Sequence, residues 1–405
     1  MIIGNAEALE LGVRVERLEH LDSFLAKAAQ EKVSSSIAIC VLRRGVEVFS
    51  GAYGPASPGG PPLKPDMITD VASVTKPVTA TMVMMLQEDG LLDIVDPLKR
   101  YYPELAGSDK EGVTLRHLLT HVSGMDEETS GTYVIDFMRK LLRSDTLSLD
   151  SDWEEMEAAC LKVRGILGYS EEEIETETVS EFLDRLMLSA PLKSKPGTQF
   201  SYFNPGYRVL ANIVERLSGE TMDVFAQRRI FEPLGMIDSH FVLPEEKWPR
   251  VLLREETCRG AAWFNSVEDR SNFAGSSGLK TTVFDMARFG LMFSRMGTLN
   301  GARILSPASV RAMTMDYNQD VPPSFWHDIW FGSNWGLGWN VRNGKFDDMG
   351  VLRSDSAYDH AGYGGARLMV DPEHDLVVAF YMVDENEDDY ILHGKTTNIV
   401  YSALD

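Results

Sequence analysis

Ser73 and Lys76 are the two residues of this chain whose types and spacing best fit catalysis. They belong to the run Ser73-Val74-Thr75-Lys76, which begins a helical pattern that continues to Glu88. Side chains three residues apart lie on one face of a helix, with Cβ atoms roughly 5–6 Å apart. A lysine amine at this distance can accept the proton of a serine hydroxyl if burial or positive neighbours lower its pKa. The pair predicts a nucleophile and its base, at a helix start whose N–H groups favour a developing anion. The alternative is structural, namely a capping serine and a solvated lysine.

Tyr202 is a candidate for a third catalytic group. It precedes Phe203 and Asn204 at the start of another helical pattern. A tyrosine beside the serine–lysine pair can relay the proton of Ser73 to the leaving group, and Asn204 could then orient Lys76 and a substrate oxygen. The alternative is structural, namely a half-buried tyrosine at a helix start with a capping asparagine.

A third segment, His360-Ala361-Gly362-Tyr363-Gly364-Gly365, lies immediately before a predicted strand at residues 366–370. Glycines such as Gly362 allow a ligand to approach the strand backbone closely. The N–H of Tyr363, on the strand edge, could then form an oxyanion hole with the N–H of Ser73. The alternative is a tight turn that only starts the strand. The glycines do not predict a nucleotide loop, because a phosphate-binding glycine run precedes a helix.

Three other patterns predict structure rather than catalysis. His117 and His121 have the spacing of a metal-binding pair, but no glutamate lies between them. We therefore expect a structural role at a helix end and no metal. The run Ala274-Gly275-Ser276-Ser277-Gly278 resembles a nucleophile elbow, but no strand precedes it, which predicts a turn. A late aromatic cluster is expected in the core or a pocket wall: Phe325, Trp326, Trp330, Phe331, Trp335 and Trp339.

The charge and composition exclude several classes of partner. The 405 residues carry a formal net charge of −22, which argues against nucleic acid and anionic membranes, because phosphate binding needs a basic face. No apolar run is long enough to span a bilayer.

The first 32 residues lack the basic and then apolar profile of a secretory signal. Cys40, Cys160 and Cys258 are odd in number and far apart, which indicates free thiols in a reducing compartment. A cytoplasmic protein is expected.

The hydrophobic pattern predicts strands near both ends of the chain and helices between them. The predicted strands are residues 36–42, 46–53, 366–370 and 376–383. The predicted helices include residues 13–32, 73–88, 115–120, 207–217 and 395–404.

These elements predict an α+β fold, a three-layer α/β/α sandwich in which helices flank one antiparallel sheet. The sheet domain is expected to be discontinuous, from residues 1–66 and 285–405. A mostly helical domain, residues 67–284, is expected between these parts, with the candidate active site in the cleft between the two domains. Within it, the acidic stretch 127–177 predicts one or two solvated surface helices, or alternatively a lid over the site.

Three segments, in chain order, resemble the signature elements of the serine β-lactamase and penicillin-binding-protein superfamily: Ser73-Val74-Thr75-Lys76, Tyr202-Phe203-Asn204 and His360-Ala361-Gly362. The class C β-lactamase branch of this superfamily has further short sequence motifs. Similar motifs occur here at residues 115–124, 231–236 and 336–339. That branch also holds family VIII carboxylesterases, D-aminopeptidases and acyltransferases. The likeness extends from about Val13 to Leu404.

The resemblance implies a role for each of these residues. Ser73 is the acylated nucleophile, and Lys76 is the base or the group that holds the proton network. Tyr202 shuttles the proton, Asn204 positions the substrate, and the N–H groups of Ser73 and Tyr363 form the oxyanion hole. The implied reaction is acyl transfer through an ester at Ser73, followed by attack of water or another acceptor, with no cofactor.

His360 departs from the β-lactamase pattern, in which this position is usually a lysine that attracts the β-lactam carboxylate. A histidine is mostly neutral at pH 7 unless its environment raises its pKa. The resemblance therefore implies a serine hydrolase that acts on a small ester or amide, first of all a carboxylesterase. The alternatives are a D-amino-acid peptidase or amidase, an acyltransferase, a weak β-lactamase, and a penicillin-binding acyl sensor.

Overall fold

The computed structural model describes residues 1–148, 151, 153–322, 333–345, 347–384 and 390–405. They fold as two compact units, the first from residues 1–92 and 210–405 and the second from residues 93–209. Four members of the predicted aromatic cluster lie outside the described residues: Phe325, Trp326, Trp330 and Phe331. Trp335 and Trp339 are buried in the first unit.

The strands are β1 (Ser34–Arg43), β2 (Val46–Tyr53), β3 (Thr69–Asp70), β4 (Lys280–Thr281), β5 (Thr298–Leu299), β6 (Ala302–Arg303), β7 (Asn340–Val341), β8 (Tyr358–Gly362), β9 (Ala366–Asp371) and β10 (Leu376–Asp384). The helices are α1 (Asn5–Glu10), α2 (Val15–Gln30), α3 (Thr75–Glu88), α4 (Leu115–Leu119), α5 (Glu127–Leu142), α6 (Trp153–Ile166), α7 (Glu171–Thr176), α8 (Val179–Ser189), α9 (Asn204–Ser218), α10 (Met222–Ala226), α11 (Glu232–Leu234), α12 (Ala261–Phe264), α13 (Val283–Ser294), α14 (Pro307–Met313) and α15 (Tyr390–Tyr401). In the described part of the chain, no helix is both long and apolar enough to cross a membrane.

The main sheet joins strands from both ends of the chain. Its order is β2-β1-β10-β9-β8-β7, and every neighbouring pair is antiparallel. β1 lies between its hairpin partner β2 and the late strand β10, so Cys40 pairs with both Ser50 and Ala379. The hairpin turns at Arg44 and Gly45, both with positive φ, a conformation that glycine adopts at little cost. The predicted assembly of the early hairpin with the late strands is confirmed.

Successive residues along one strand of the sheet face opposite helical layers. Val378 of β10 belongs to one buried cluster with Leu25 of α2 and Val400 of α15. Val377, the preceding residue, faces α13, where a Cβ atom on Gly290 would lie 2.7 Å from Val377 Cγ1. This alternation follows from the pleat of a strand, and each buried valine or leucine stabilises the fold by roughly 1.5–3 kcal/mol. The predicted three-layer α/β/α arrangement is confirmed.

The acidic stretch 127–177 forms two helices that pack into a core, α5 and α6, and one solvated surface helix, α7, which has no buried residue. It contains α5, α6 and α7, and α5 and α6 pack with α8 around Val134, Val163 and Phe182. The guanidinium of Arg164 is buried and lies 4.8 Å from the centroid of the Phe182 ring. The sequence conceals this core because glutamates cover the exposed helix faces, while the apolar residues between them point inward.

The three cysteines are free thiols and are buried, as the sequence predicts. Burial raises the pKa of the Cys160 thiol to about 11 and raises the pKa of Cys40 still further. Because the thiolate is the reactive form, neither residue is a suitable nucleophile.

Candidate active site

Ser73 lies in a 3-10 turn, Ala72–Val74, immediately before α3. The regular helix, expected to start at Ser73, therefore begins two residues later, at Thr75. Lys76 is in the first turn of α3, and its Nζ donates a hydrogen bond to Ser73 Oγ at 2.9 Å. Ser73 is half-buried, whereas Lys76 is wholly buried. The structure thus places a hydroxyl that a substrate can reach in contact with a buried amine.

A second segment holds α3 at the level of Lys76. Lys76 Nζ also donates to the carbonyl oxygen of Ser276 at 3.0 Å. One turn further along the helix, Thr79 Oγ1 donates to the carbonyl oxygen of Gly275 at 2.7 Å. These carbonyls belong to the run 274–278, which forms a turn as predicted. Its contact with Lys76 was not predicted, because the two segments lie 200 residues apart in the sequence.

Ala72, the residue before Ser73, has a left-handed backbone with a φ of +46°. This conformation costs an L-residue roughly 1–2 kcal/mol. Such strain persists only where the surrounding structure enforces it, and it is often found at functional sites. The turn that carries Ser73 is therefore held in place by its neighbours.

The predicted oxyanion segment forms a hairpin. His360 and Gly362 belong to β8, and Tyr363 begins the turn to β9, which is closed by a 3.1 Å bond from Gly365 N–H to Gly362 O. The sequence placed the run before a single strand, with Tyr363 on a strand edge. The structure corrects this, since β8 is itself a strand and Tyr363 lies in the turn. β8 was missed because it is short and ends at Gly362, and glycine is depleted in strands.

Gly362 allows the Ser73 turn to approach β8. A Cβ atom at Gly362 would lie 2.1 Å from the carbonyl oxygen of Val71. No side chain larger than hydrogen fits there without a shift of the backbone. Gly362 was expected to let a ligand approach the strand. Instead it lets the protein's own backbone approach, at Val71, two residues before Ser73. This contact brings the Ser73 turn beside the β8–β9 hairpin.

His360 is buried and neutral. Its Nδ1 lies 2.8 Å from the carbonyl oxygen of Ala361, and the edge of its ring meets Trp335 at a centroid distance of 5.7 Å. Burial, followed by the nearby charge of Lys76, lowers the pKa of His360 to about 3. The third signature element therefore contributes no positive charge at pH 7.

Tyr363 is the exposed part of the hairpin, with 51% of its surface accessible. Its ring stacks on Phe264 at a centroid distance of 6.2 Å, and the guanidinium of Arg259 lies 4.7 Å from its centroid. Arg254, which is buried, donates to the carbonyl oxygen of Gly364 at 3.1 Å. The segment from Arg254 to Phe264 thus supports the predicted oxyanion turn, and the sequence carried no signal for this contact.

Tyr202 belongs to the second unit, where His121 holds it. The two rings stack with centroids 4.2 Å apart. His121 Nδ1 accepts a hydrogen bond from Phe203 N–H at 3.1 Å, and its carbonyl oxygen accepts one from Ser201 N–H at 2.8 Å. His121 was expected to have a structural role at a helix end. It lies two residues beyond α4, and its role is to fix the residues on both sides of Tyr202.

Asn204 is the first residue of α9, and its N–H donates to Glu127 Oε1 at 2.7 Å. Glu127 is the first residue of α5, so the acidic stretch contacts the Tyr202 segment. The alternative of a lid stays a prediction.

His117 is part of a helix cap and not of a metal site. Its Nδ1 accepts a hydrogen bond from Thr114 N–H at 3.1 Å, while Thr114 Oγ1 caps the start of α4. Burial, with the charge of Arg116, lowers the pKa of His117 to about 4. Among the described residues, no group of three or more histidines, cysteines and acidic residues could hold a metal ion.

The predicted site residues are divided between the two units. The first unit brings together the Ser73–Lys76 pair and the hairpin that contains His360, Gly362 and Tyr363. The second unit contains Tyr202 and Asn204. A serine hydroxyl held by a buried lysine amine, in a turn beside an antiparallel sheet, is typical of the centre of a serine hydrolase.

Comparison with known proteins identifies the family. The chain belongs to the β-lactamase family, whose model matches residues 21–395. The predicted family and fold are therefore confirmed, and the family is one of serine hydrolases.

Individual relatives include esterases and penicillin-binding-protein homologues. Esterase EstB from Burkholderia gladioli is 30% identical over 230 residues, which cover 56% of this chain and 52% of EstB. The match thus spans about half the length of that relative. A penicillin-binding-protein homologue from Caulobacter crescentus has a TM-score of 0.69 at 21% identity, covering 97% of this chain and 99% of its own. A family VIII carboxylesterase has a TM-score of 0.69 at 18% identity, with the same coverage of 97% and 99%. Both structures share the fold of this chain.

Proposed function

We propose that the protein is a carboxylesterase that hydrolyses small, neutral esters through an acyl-enzyme at Ser73. The observation that carries this proposal is the burial and neutrality of His360. A β-lactamase usually has a lysine here, which attracts the carboxylate of its substrate. Without that positive charge, the site has a weaker preference for anionic over neutral substrates. The similarity to esterase EstB supports the same substrate class.

The first half of the reaction forms the acyl-enzyme. Ser73 Oγ attacks the ester carbonyl carbon while its proton passes to Lys76 Nζ, across the 2.9 Å contact. Lys76, which is wholly buried, must give up its own proton before it accepts that of Ser73. The N–H groups of Ser73 and Tyr363 stabilise the negative oxygen of the tetrahedral intermediate.

The second half releases both products. Tyr202 passes its proton to the leaving alkoxide and receives the former Ser73 proton from Lys76, the bond from the acyl carbon to that oxygen breaks, and the alcohol departs. Water then attacks the ester at Ser73 and gives one proton to Tyr202. Tyr202 and Lys76 deliver a proton to Ser73 Oγ, the bond from the acyl carbon to Ser73 Oγ breaks, and the acid is released. Asn204 holds the acyl portion of the substrate during both steps.

The direct test is rapid mixing of the protein with p-nitrophenyl butyrate. We expect a burst of p-nitrophenol followed by steady turnover, because acylation and hydrolysis are separate steps. Ser73→Ala should abolish both phases. Ser294→Ala is the matched control, since Ser294 lies on α13 and donates to Asp375. Turnover that survives in Ser73→Ala would exclude Ser73 as the nucleophile.

The alternative activities are distinguished by their products. Nitrocefin tests for β-lactamase activity, a D-alanyl anilide tests for peptidase activity, and an ester with an added alcohol tests for acyl transfer. An acyl sensor would be labelled at Ser73 without turning over any ester. We also propose a cytoplasmic location and a small-molecule substrate.

A further inference from the structure

Two peptide groups in the turn between β8 and β9 are joined by a hydrogen bond. One consists of the carbonyl group of Gly364 and the N–H of Gly365, and the other consists of the carbonyl group of Gly362 and the N–H of Tyr363. The N–H of Gly365 donates to the carbonyl oxygen of Gly362 at 3.1 Å. A donor that binds the carbonyl oxygen of Gly364 is therefore connected to the N–H of Tyr363 through two peptide groups.

Arg254 is such a donor. Its Nη1 donates to the carbonyl oxygen of Gly364 at 3.1 Å, and its side chain is buried. The guanidinium group of an arginine keeps its positive charge in proteins. A charged donor makes a stronger hydrogen bond than a neutral one, and burial strengthens the bond further. The chain of hydrogen bonds therefore begins at a strong donor.

The residues around Arg254 keep its guanidinium group in place. Cζ of Arg254 lies 3.7 Å from the centroid of the Phe264 ring, and Nη1 also donates to the carbonyl oxygen of Arg259 at 3.3 Å. Asn265 holds the backbone, since its Oδ1 accepts from the N–H of Arg254 and its Nδ2 donates to the carbonyl oxygen of Arg254, both at 2.8 Å. Both ends of the residue are thus fixed before a substrate binds.

Gly364 is the residue that lets the guanidinium group reach the turn. A Cβ atom at Gly364 would lie 2.1 Å from Arg254 Nη1. The φ of Gly364, +80°, is also one that glycine adopts at little cost. A side chain at this position would push the guanidinium group away from the carbonyl oxygen.

The N–H of Tyr363 is the other end of the chain of hydrogen bonds. Among the residues that the structure describes, none accepts a hydrogen bond from this N–H. The proposed reaction uses it as a donor to the oxyanion. The chain thus extends from a buried cation to a donor that the substrate can bind.

Two other charged groups lie close to this chain. Arg367 Nη1 donates to the carbonyl oxygen of Gly362 at 3.5 Å, which is long for a hydrogen bond, and its Nη2 donates to Asp348 Oδ2 at 2.9 Å. Asp269 is buried and interacts electrostatically with Arg254. Since neither arginine is an isolated charge, the effect of Arg254 depends on its hydrogen bond to the turn.

We propose that Arg254 is a positioning residue for the oxyanion hole, which fixes the β8–β9 turn and strengthens the N–H of Tyr363 as a donor. Hydrogen bonds in a chain polarise one another, so a cation at one end makes the N–H at the other end more positive. A more positive N–H stabilises the negative oxygen of the tetrahedral intermediate more than the neutral oxygen of the ester, which raises kcat. This inference rests on the proposed function, because it requires acylation of Ser73.

Arg254→Gln tests the proposal, because it removes the charge and shortens the side chain. We expect kcat for p-nitrophenyl butyrate to fall about tenfold or more, with KM within about threefold of the wild-type value, since the oxyanion hole acts mainly in the transition state. Arg254→Lys retains the charge and should recover part of kcat. A wild-type kcat in Arg254→Gln would overturn the proposal.

Arg164→Gln is the matched control. Arg164 is also buried, lies 4.8 Å from the ring centroid of Phe182 and donates to the carbonyl oxygen of Glu177 at 2.9 Å. It belongs to the second unit and not to the β8–β9 turn. We expect wild-type kcat in this control, and a fall equal to that of Arg254→Gln would count against the proposal.

A thionoester separates the proposed effect from a general loss of folded protein. In the O-thiono analogue of p-nitrophenyl butyrate, sulfur replaces the carbonyl oxygen and is a poorer acceptor for the oxyanion donors. We expect the ratio of the ester rate to the thionoester rate to fall at least about threefold in Arg254→Gln, because oxygen benefits more from a strong N–H donor. Partial unfolding slows both substrates equally, so an unchanged ratio would overturn the proposal.

Phe264→Leu provides a second variant if Arg254→Gln does not fold. It removes the ring against which the guanidinium group lies but retains the charge. The same fall in the ratio of ester to thionoester rates is expected, and an unchanged ratio would again overturn the proposal.

Binding of butylboronic acid gives a test that does not require turnover. Its boron forms a tetrahedral, negatively charged adduct with Ser73 Oγ, and one oxygen of the adduct occupies the oxyanion hole. Calorimetry should show binding to Arg254→Gln at least about fivefold weaker than to the wild-type protein or to Arg164→Gln. If the wild-type protein binds the boronate but hydrolyses no ester, the proposed function fails while this comparison still stands. Equal binding to Arg254→Gln, or no binding to the wild-type protein, would overturn the role of Arg254.

Discussion

His121 determines how Tyr202 is presented. Its ring lies against the phenol ring, and its own backbone and Nδ1 bind Ser201 and Phe203. Three contacts from one residue thus fix the chain on both sides of Tyr202. A proton relay held in this way needs little reorganisation during the reaction.

Removal of the hydroxyl group of Tyr202 tests its proposed role. We expect Tyr202→Phe to lower kcat by about 100-fold or more, since general acid–base groups contribute on that scale. KM for p-nitrophenyl butyrate should change little, because the ring and its stacking on His121 are retained. Steady-state kinetics measure both constants, and Tyr133→Phe on α5 is the control. Full kcat in Tyr202→Phe would rule out Tyr202 as the proton shuttle.

Residue contacts were predictable from the sequence only where they are local. The contact of Ser73 with Lys76 follows from helix geometry, because the two residues are three positions apart in the sequence. The carbonyl group of Ser276 reaches Lys76 from 200 residues away, and no periodicity relates two such distant positions. The turn in the run that contains Ser276 was predicted from the sequence, but its contact with Lys76 was not.

The β8–β9 hairpin is the element on which the proposed oxyanion hole depends. It approaches the Ser73 turn through Gly362, and the fit leaves no space for a methyl group. Contact between two backbone segments therefore sets the geometry of the site. Rotation of a side chain cannot relieve this contact.

Gly362→Ala tests this contact. The new Cβ would lie 2.1 Å from Val71 O, so the hairpin and the Ser73 turn must separate. We expect a loss of stability of about 1–3 kcal/mol, as for other overpacked sites, with a burst rate at least tenfold lower. Denaturant unfolding and rapid mixing measure the two effects. Gly112→Ala is the control, because nothing lies within 4 Å of its added Cβ; wild-type kinetics in Gly362→Ala would contradict the account.

Long elements were predictable, whereas short ones were not. The pattern of β-branched residues predicted β2 with its observed bounds, Val46–Tyr53. β8 has five residues, one of them Gly362 and one of them His360, so its strand pattern is weak. In the acidic stretch, the number of glutamates suggested solvated helices, although Val134 and Val163 belong to a buried core there. Pairing and packing with distant residues decide these cases.

At the scale of the whole molecule, the first unit contains strands from both ends of the chain, as the discontinuous sheet domain required. The expected domain limits near residues 66 and 284, and a site in the cleft, stay predictions.

The formal net charge of −22 acts on every approaching substrate. Anionic molecules are repelled at long range, which agrees with a neutral ester as the substrate and with the neutral state of His360.

The mass of the intact protein during turnover tests the central claim most directly. The reaction with p-nitrophenyl butyrate is stopped with acid within the burst, and the protein is then weighed and digested. We predict the addition of one butyryl group, located on the peptide that contains Ser73 and absent from Ser73→Ala. Turnover without an acyl group on Ser73, or with the acyl group on another residue, would contradict the assignment of Ser73 as the nucleophile.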